Sequence, residues 1–295
     1  MTGNEWLAQR FEEQRPHLRA VAYRMLGSLA EADDAVQDAW LRASGSDAAQ
    51  VANLRGWLTT IVARVALNML RARRTHREDP IQGRLPDPVV SVEGSSPPED
   101  EAMLADSLGL ALLVVLDTLE PAERLAFVLH DVFKLPFSEI APMVERTPAA
   151  ARQLASRARR RVRGARAAAP DADLYRQREV VDAFFAATRA GDFGRLVTLL
   201  DPAVVLRADF GRRRAALPAV VRGTEAVIEL AMTGARLPGA ELVPVLINGV
   251  AGVVVTLGGR PFSLMAFVVK AGRIVEIDAI GDAKRVARLA ASVLA

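Results

Sequence analysis

The sequence predicts a multidomain protein in which two all-α units precede an α+β domain. Three observations carry this expectation. The 295 residues are about twice the usual domain length of ~100–150. Apolar residues recur at helical spacing as far as Val162 and then give way to strand-like runs. A stretch rich in Pro, Gly, Ser and acidic residues, 79–100, divides the helical half.

Residues 5–77 read as helices. Leu18, Val21, Ala22, Met25 and Leu26 form one apolar stripe, Gly27-Ser28 breaks it, and Ala35, Val36, Ala39, Trp40 and Leu41 form the next. Asp33 and Asp34 stand at the start of that second helix, where acids complement the helix dipole. A third helix follows, marked by Trp57, Leu58, Ile61, Val62, Val65, Ala66, Met69 and Leu70. Beyond the 79–100 connector, Leu104 to Leu119 line another helix, and residues 122–133 the next. Two short helices, 137–144 and 148–162, are joined by Glu145-Arg146-Thr147. Thr147 can cap the second, and Pro148 suits its first position. Two short helices around a three-residue turn, the second one basic, describe a helix-turn-helix. Pro142 removes one backbone donor from the first. From residue 176 on, a helix (179–188) precedes strand-like segments at 203–208, 243–247, 251–257, 262–269 and 273–280. Gly258-Gly259 and Ala271-Gly272 read as hairpin turns. A closing helix from Asp282 completes a helix packed on a curved antiparallel sheet.

Composition excludes several classes. The chain has no cysteine, which removes a disulfide scaffold, a thiolate metal site and a cysteine nucleophile, and fits a reducing compartment. Residues 1–15 are polar and lack the apolar core of a signal peptide. No apolar run is long enough to span a membrane, so a soluble cytoplasmic protein is expected. Of the 38 basic residues only Lys134, Lys270 and Lys284 are lysine, so a lone arginine carries little information. Clustering carries more. Six arginines and no acid lie in 55–77, and eight arginines and no acid in 146–166, while 78–101 holds seven acids and one arginine. Two cationic surfaces around an acidic connector point to a polyanion held at two places. Solvated helix faces would give the same charge pattern.

The residues at this point resemble a family. EADDAVQDAWLRA (31–43) and LRGWLTTIVARVALNMLRARRTHRED (54–79) look like region 2 of the extracytoplasmic-function sigma factors of bacterial RNA polymerase. LDTLEPAERLAFVLHDVFKLPFSEIAPMVERTPAAARQLASRARRRV (116–162) looks like their region 4. The last ~120 residues, the size of one domain, resemble a SnoaL-like, cystatin-cone domain. The resemblance implies a region 2 helical bundle at 1–79, an acidic Pro-rich linker at 80–102, a region 4 helix-turn-helix at 103–168 and a cone domain at 175–295.

It also implies roles. Asp34, Gln37, Asp38 and Trp40 match the part that docks on the β′ clamp helices of core RNA polymerase; plain helix-dipole acids are the alternative. Asn53, Arg55, Trp57, Arg64, Asn68, Arg71, Arg73 and Arg74 match the part that opens promoter DNA and reads the minus-ten element, where melted bases need apolar pockets and cations. Trp57 reads at least as readily as a core residue. Arg152, Gln153, Ser156 and Arg157 match the minus-thirty-five readers, since arginine pairs with guanine and glutamine with adenine. Arg160 and Arg161, with Arg159 and Arg163, are expected on phosphates. One subgroup carries three further motifs. Leu85-Pro86-Asp87-Pro88 matches the first well, and Asp209-Phe210-Gly211-Arg212 and Gly281-Asp282-Ala283-Lys284-Arg285 match the others in part. Contact between extension and sigma core through Leu85, Pro86, Asp87, Pro88, Asp209, Asp282, Lys284 and Arg285 is therefore expected.

The function that follows is an alternative sigma factor binding core polymerase and promoter DNA, with a fused cone as modulator and a small ligand in the cone as a further partner. No cofactor, metal or membrane is expected. One rival is a helix-turn-helix regulator that senses a small molecule without polymerase. Another is an enzyme in the cone. His17, His76 and His130 all precede residue 171, and beyond Tyr23 the one tyrosine is Tyr175, so the cone offers no histidine base or tyrosine oxyanion donor. Asp209, Glu276 and Asp278 are the remaining candidate bases, and strand acids of this kind are expected to face solvent.

Overall fold

The computed structural model describes residues 3–46, 51–76, 85–93, 110–164, 170–211, 219–235 and 237–294. The chain forms two compact units. The first comprises residues 1–80, 98–104 and 112–167, and the second 81–97, 105–111 and 168–295.

In the first unit, α1 (Gly3–Leu26), α2 (Leu29–Ser44) and α3 (Leu54–His76) pack as a bundle. Its core is the expected stripe of Leu18, Val21, Ala22, Met25 and Leu26 against Ala35, Val36 and Ala39 of α2 and Leu58, Val62, Val65 and Ala66 of α3. Leu41 does not join it. It is 62% exposed, because at about 100° per residue it lies well around the helix from Val36. Trp40 is half-buried, its ring 5.1 Å from that of Phe11. The helical hairpin that follows consists of α4 (Leu110–Asp117) and α5 (Pro121–Phe127), the latter continued by a π-helical turn over Val128–Val132. Pro121 opens α5, where its missing N–H costs nothing. Arg124 of α5 is fully buried. It donates to Asp117 Oδ1 at 3.1 Å and to the Arg24 carbonyl of α1 at 3.3 Å. Burial pulls its pKa down to about 10.

The first helix of the helix-turn-helix is shorter than its sequence span. Residues Phe137–Ile140 (α6) are α-helical, and Ala141–Met143 tighten into a 3-10 turn around Pro142. Glu145, with φ of 55°, carries the chain into α7 (Pro148–Gly164). The Thr147 hydroxyl accepts from the Ala150 N–H at 3.2 Å, the expected cap.

The second unit is built on a seven-stranded sheet in the order β1-β4-β5-β6-β7-β2-β3. The strands are β1 (Val90–Val92), β2 (Leu200–Asp209), β3 (Val220–Arg222), β4 (Ala240–Ile247), β5 (Val250–Leu257), β6 (Arg260–Lys270) and β7 (Arg273–Ile280). Helices α8 (Leu174–Ala190), α9 (Phe193–Leu199) and α10 (Thr224–Ala235) bury Val181, Phe184, Leu196, Leu199, Val227 and Ile228 against one face. The ring of Phe184 lies 5.8 Å from that of Phe267 on β6. Both expected hairpin turns form, with positive φ at Gly258, Gly259, Ala271 and Gly272.

Two expectations change here. The sheet is mixed, because β2 runs parallel to β7; the long excursion through β3, α10 and β4–β6 returns the chain beside β2 in the same direction. The connector is also more than a tether. Val90, Ser91 and Val92 pair antiparallel with Ile247, Leu246 and Val245 at the edge of the sheet. Asn248, at φ 49° in the β4–β5 turn, exchanges two hydrogen bonds with Val89, at 2.6 and 2.8 Å. Arg178 of α8 pairs with Glu93 at 2.7 Å and donates to the Val245 and Gly252 carbonyls. The closing helix α11 (Ala283–Leu289) is capped by Asp282, which accepts from the Arg285 N–H.

Candidate nucleic-acid interface and linker clamp

Helix α7 carries its arginines in three directions. Ala151, Ala155 and Ala158 are buried, so at about 100° per residue the opposite, outward face centres on Gln153, Ser156 and Arg160. All three are exposed. On one flank Arg157 and Arg161 both pair with Glu123, at 3.1 and 3.0 Å. On the other, Arg159 pairs with Asp131 at 2.6 Å, and the Arg152 guanidinium lies 5.4 Å from the centre of the Phe137 ring, a cation–π contact. Glu123 is only 4% exposed, so its two arginines fix the rotation of α7 on α5 as well as adding charge. Among the described residues Gln153, Ser156 and Arg160 make no side-chain hydrogen bond or ion pair, while Arg152 and Arg157 border the outer face at its edges.

Helix α3 sorts its polar residues in the same way. Trp57, Arg64, Asn68 and Arg71 fall at i, i+7, i+11 and i+14, a stripe within about 60°, opposite the buried Val62 and Ala66. Arg64, Asn68 and Arg71 are exposed and Trp57 is half-buried. Arg64 donates to the Pro142 carbonyl at 3.2 Å. The remaining four expected residues do other work. Asn53 caps α3, accepting from the Gly56 N–H at 3.0 Å. Arg55 contacts the His17 ring at 3.0 Å. Arg73 leaves the stripe, pairing with Glu31 of α2 and donating to the Leu26 carbonyl, and Arg74 pairs with Glu120. His17 also contacts the Thr59 hydroxyl at 3.2 Å. Burial, with the Arg55 and Arg24 charges nearby, depresses its pKa to about 4.

On α2, Asp34, Gln37 and Asp38 are exposed on one face, and Leu41 stands among them. Trp40 lies off that face, toward Phe11. An exposed leucine ringed by acids is the feature that sequence periodicity missed, since its apolar character placed it in the core.

The second unit gathers the three motif segments around one side chain. Arg285 donates from Nε to Asp87 Oδ1 and from Nη1 to Asp209 Oδ2, both at 2.5 Å, and from Nη2 to the Leu85 carbonyl. Arg288 closes on the other Asp87 oxygen at 2.8 Å. The Leu85 N–H donates to Asp209 Oδ2 at 3.1 Å. Leu85, Asp87 and Pro88 are buried and Pro86 is half-buried. Asp282 takes part through its cap, and Lys284 stays exposed. Arg212 lies outside the described residues. A guanidinium that satisfies three acceptors from two distant segments is a clamp: removing either carboxylate leaves a buried charge short of its partner.

The three candidate bases of the cone are spent on ion pairs. Asp209 belongs to the clamp. Glu276 and Asp278 both pair with Arg207, Asp278 at 2.8 Å, and burial lifts the Asp278 pKa to about 6. Both are buried, contrary to the solvent-facing expectation, because the neighbouring Arg207 compensates their charge. Their alternating neighbours Ile277 and Ala279 point the opposite way, into an apolar cavity of about 480 Å³. Among the described residues, no helix is long and apolar enough to cross a membrane.

Comparison with known proteins finds likeness in both helical segments and in the whole fold. The family described as Sigma-70 region 2 matches residues 10–76, and the one described as Sigma-70, region 4 matches residues 109–162. The "ECF RNA polymerase sigma factor SigJ" of Mycobacterium tuberculosis is 39% identical over 82% of this chain and 78% of its own length. The "Probable ECF RNA polymerase sigma factor SigI" of the same species is 32% identical over 95% of this chain and 94% of its own. The crystal structure of M. tuberculosis SigJ covers 94% of this chain and 97% of that one, with a TM-score of 0.74 at 33% identity.

Proposed function

Since the chain belongs to the extracytoplasmic-function family of RNA polymerase sigma factors, we propose that it docks on core polymerase, reads two promoter elements and directs transcription initiation from the cytoplasm. One observation carries this reading. Two basic helices of one chain each present an exposed polar stripe, Arg64–Asn68–Arg71 on α3, continued by the half-buried Trp57, and Gln153–Ser156–Arg160 on α7. The first has an aromatic ring beside cations, as unstacked bases require. The second has the amide and guanidinium chemistry of major-groove readout. Asp34, Gln37, Asp38 and Leu41 form the docking face for the β′ clamp helices. Region 2 occupies 1–79, region 4 occupies 103–168 and the extension 175–295, with the connector 80–102 lending residues 85–93 to the extension. The protein itself performs no covalent chemistry.

We further propose that the extension modulates initiation by holding the connector. The clamp of Arg285 on Asp87, Asp209 and Leu85 supports this, since it makes the path of the connector depend on the fold of the extension. In-vitro transcription with core polymerase, comparing the full chain with residues 1–168, tests both proposals. Promoter-dependent transcript from either form supports the sigma reading, and its absence from both refutes it. Equal yield from both refutes the modulating role. A shift of duplex promoter DNA in the absence of core enzyme, equal to that in its presence, would favour a polymerase-independent regulator instead.

A further inference from the structure

We infer that the cavity inside the second unit binds a lipophilic organic acid without turning it over, and that its occupancy is felt at the linker clamp through Phe210. At about 480 Å³ the cavity falls within the ~300–1,000 Å³ of small-molecule sites. Its walls are mostly aromatic and aliphatic, with Phe185, Phe210, Leu230, Phe262 and Met265 among them. Polar chemistry is sparse. Thr188 and Thr233 line the cavity, but their hydroxyls are spent on the carbonyls of Phe184 and Glu229. Ser263, buried in the wall, makes no side-chain hydrogen bond among the described residues. Among the described residues Arg189 is the one charged member of the lining, and it is exposed and forms no ion pair with any of them. An ionised group is costly in an apolar interior and tolerable at its mouth beside a cation. The ligand is therefore an apolar body with a single acidic group that remains at the rim on Arg189.

Absence of turnover follows from the same lining, which among the described residues holds no carboxylate, imidazole or phenol to move a proton. Glu276 and Asp278, on either side of the lining residue Ile277, lie on the other face of β7, paired with Arg207.

Phe210 links cavity and clamp. It follows Asp209 directly, lines the cavity and packs on Gly281, where a Cβ would come within 2.2 Å of its ring. Gly281 in turn precedes Asp282, the cap of the helix that carries Arg285. An apolar body against Phe210 holds that ring on Gly281 and so tightens the contact of Asp209 with Arg285 and Leu85. This second part rests on the modulating role proposed above; binding itself does not.

The test uses the full chain without polymerase, so its outcome is separable from that of the transcription assay. Binding of 8-anilino-1-naphthalenesulfonate is followed by fluorescence, with displacement by 2-naphthoate, decanoate and neutral 2-naphthol. Saturable binding at one site is expected, with an acid displacing better than 2-naphthol. Arg189→Glu should weaken the acids by about tenfold or more, the loss of one charge-assisted contact, and leave 2-naphthol unchanged. Ala231→Trp should fill the cavity and abolish binding; Ala231→Leu, a smaller insertion, should weaken it if the larger one fails to fold. Hydrogen exchange at the Leu85 amide, which donates to Asp209, should slow several-fold with 2-naphthoate bound. Binding indifferent to both Ala231 variants, or acids no better than 2-naphthol, overturns the site. Binding that leaves the Leu85 amide unchanged overturns the coupling.

Discussion

Arg285 and Asp87 stand 198 residues apart in sequence and meet at 2.5 Å. The contact is nearly closed to water, with side-chain exposures of 10% and 7%, and it is the point where the connector becomes part of the C-terminal fold. Breaking such a pair on one side leaves the other charge buried. Asp87→Ala should therefore cost about 3–5 kcal/mol, read as a lower denaturant midpoint for the second unit. Arg285→Lys should not rescue an Arg285→Ala defect, because an ammonium cannot match three fixed acceptors. A lysine variant as stable as the parent would show that charge alone holds the connector.

Readout by α7 should separate by face. Gln153→Ala and Arg152→Ala are expected to cost about 1–3 kcal/mol at single base pairs and to relax preference there. Arg163→Ala, at an exposed position near the end of α7, should weaken binding evenly and reduce the salt slope by about one. Competition binding of polymerase holoenzyme to single-base promoter variants distinguishes them. A uniform loss in all three variants would remove the division between base readers and phosphate contacts.

The docking face of α2 should be separable from stability. Asp34→Lys with Asp38→Lys, or Leu41→Ser alone, removes exposed groups, and such changes usually stay within about 0.5 kcal/mol. Co-purification with core polymerase should nevertheless be lost in the double variant and weakened in the leucine variant. Retention of core enzyme by both would assign docking elsewhere.

His17 should make the first unit sensitive to acid. Its folded pKa, about 4, lies below the ordinary 6.5, so between these values the unfolded chain binds more protons. Stability is then full above pH 6.5 and falls as pH drops toward 4, by at most about 3 kcal/mol. His17→Gln should flatten this dependence in urea unfolding measured at pH 7 and pH 4.5. An unaltered pH profile would place the sensitivity in other groups.

Long helices were legible because their apolar period survives in sequence. Val36, Val62 and Val65 sit where that period puts them. Two kinds of residue escaped it. Leu41 has the chemistry of a core residue at the wrong angle, and only the helix it shares with Asp34 and Asp38 turns it outward. Arg124 is buried in a chain so rich in arginine that no single one stands out, and one of its partners is a backbone carbonyl of another helix. The strands β1 and β3, three residues each, are too short to carry a period; Val90 and Val92 were hidden among prolines. The linker motif was readable as a string, but its meeting with Asp209 and Arg285 depends on sheet closure. On α3 and α7 the arginines were correctly marked as basic blocks, yet which of them face outward is decided by acids far along the chain: Glu31, Glu120 and Glu123.

The pairing of Val90–Val92 with β4 has a consequence for solubility. On its other side β4 is paired with β5, so β1 is what occupies its outer edge from Val245 to Ile247. A bare strand edge is a template for addition of another strand, and natural proteins shield such edges. Any event that withdraws the connector would uncover this one, with Leu246 at its centre, and offer it to the same segment of a neighbouring molecule. The connector thus guards against self-assembly, and a protein cut between Val92 and the helical hairpin would be expected to tolerate the break only while that short strand stays in place.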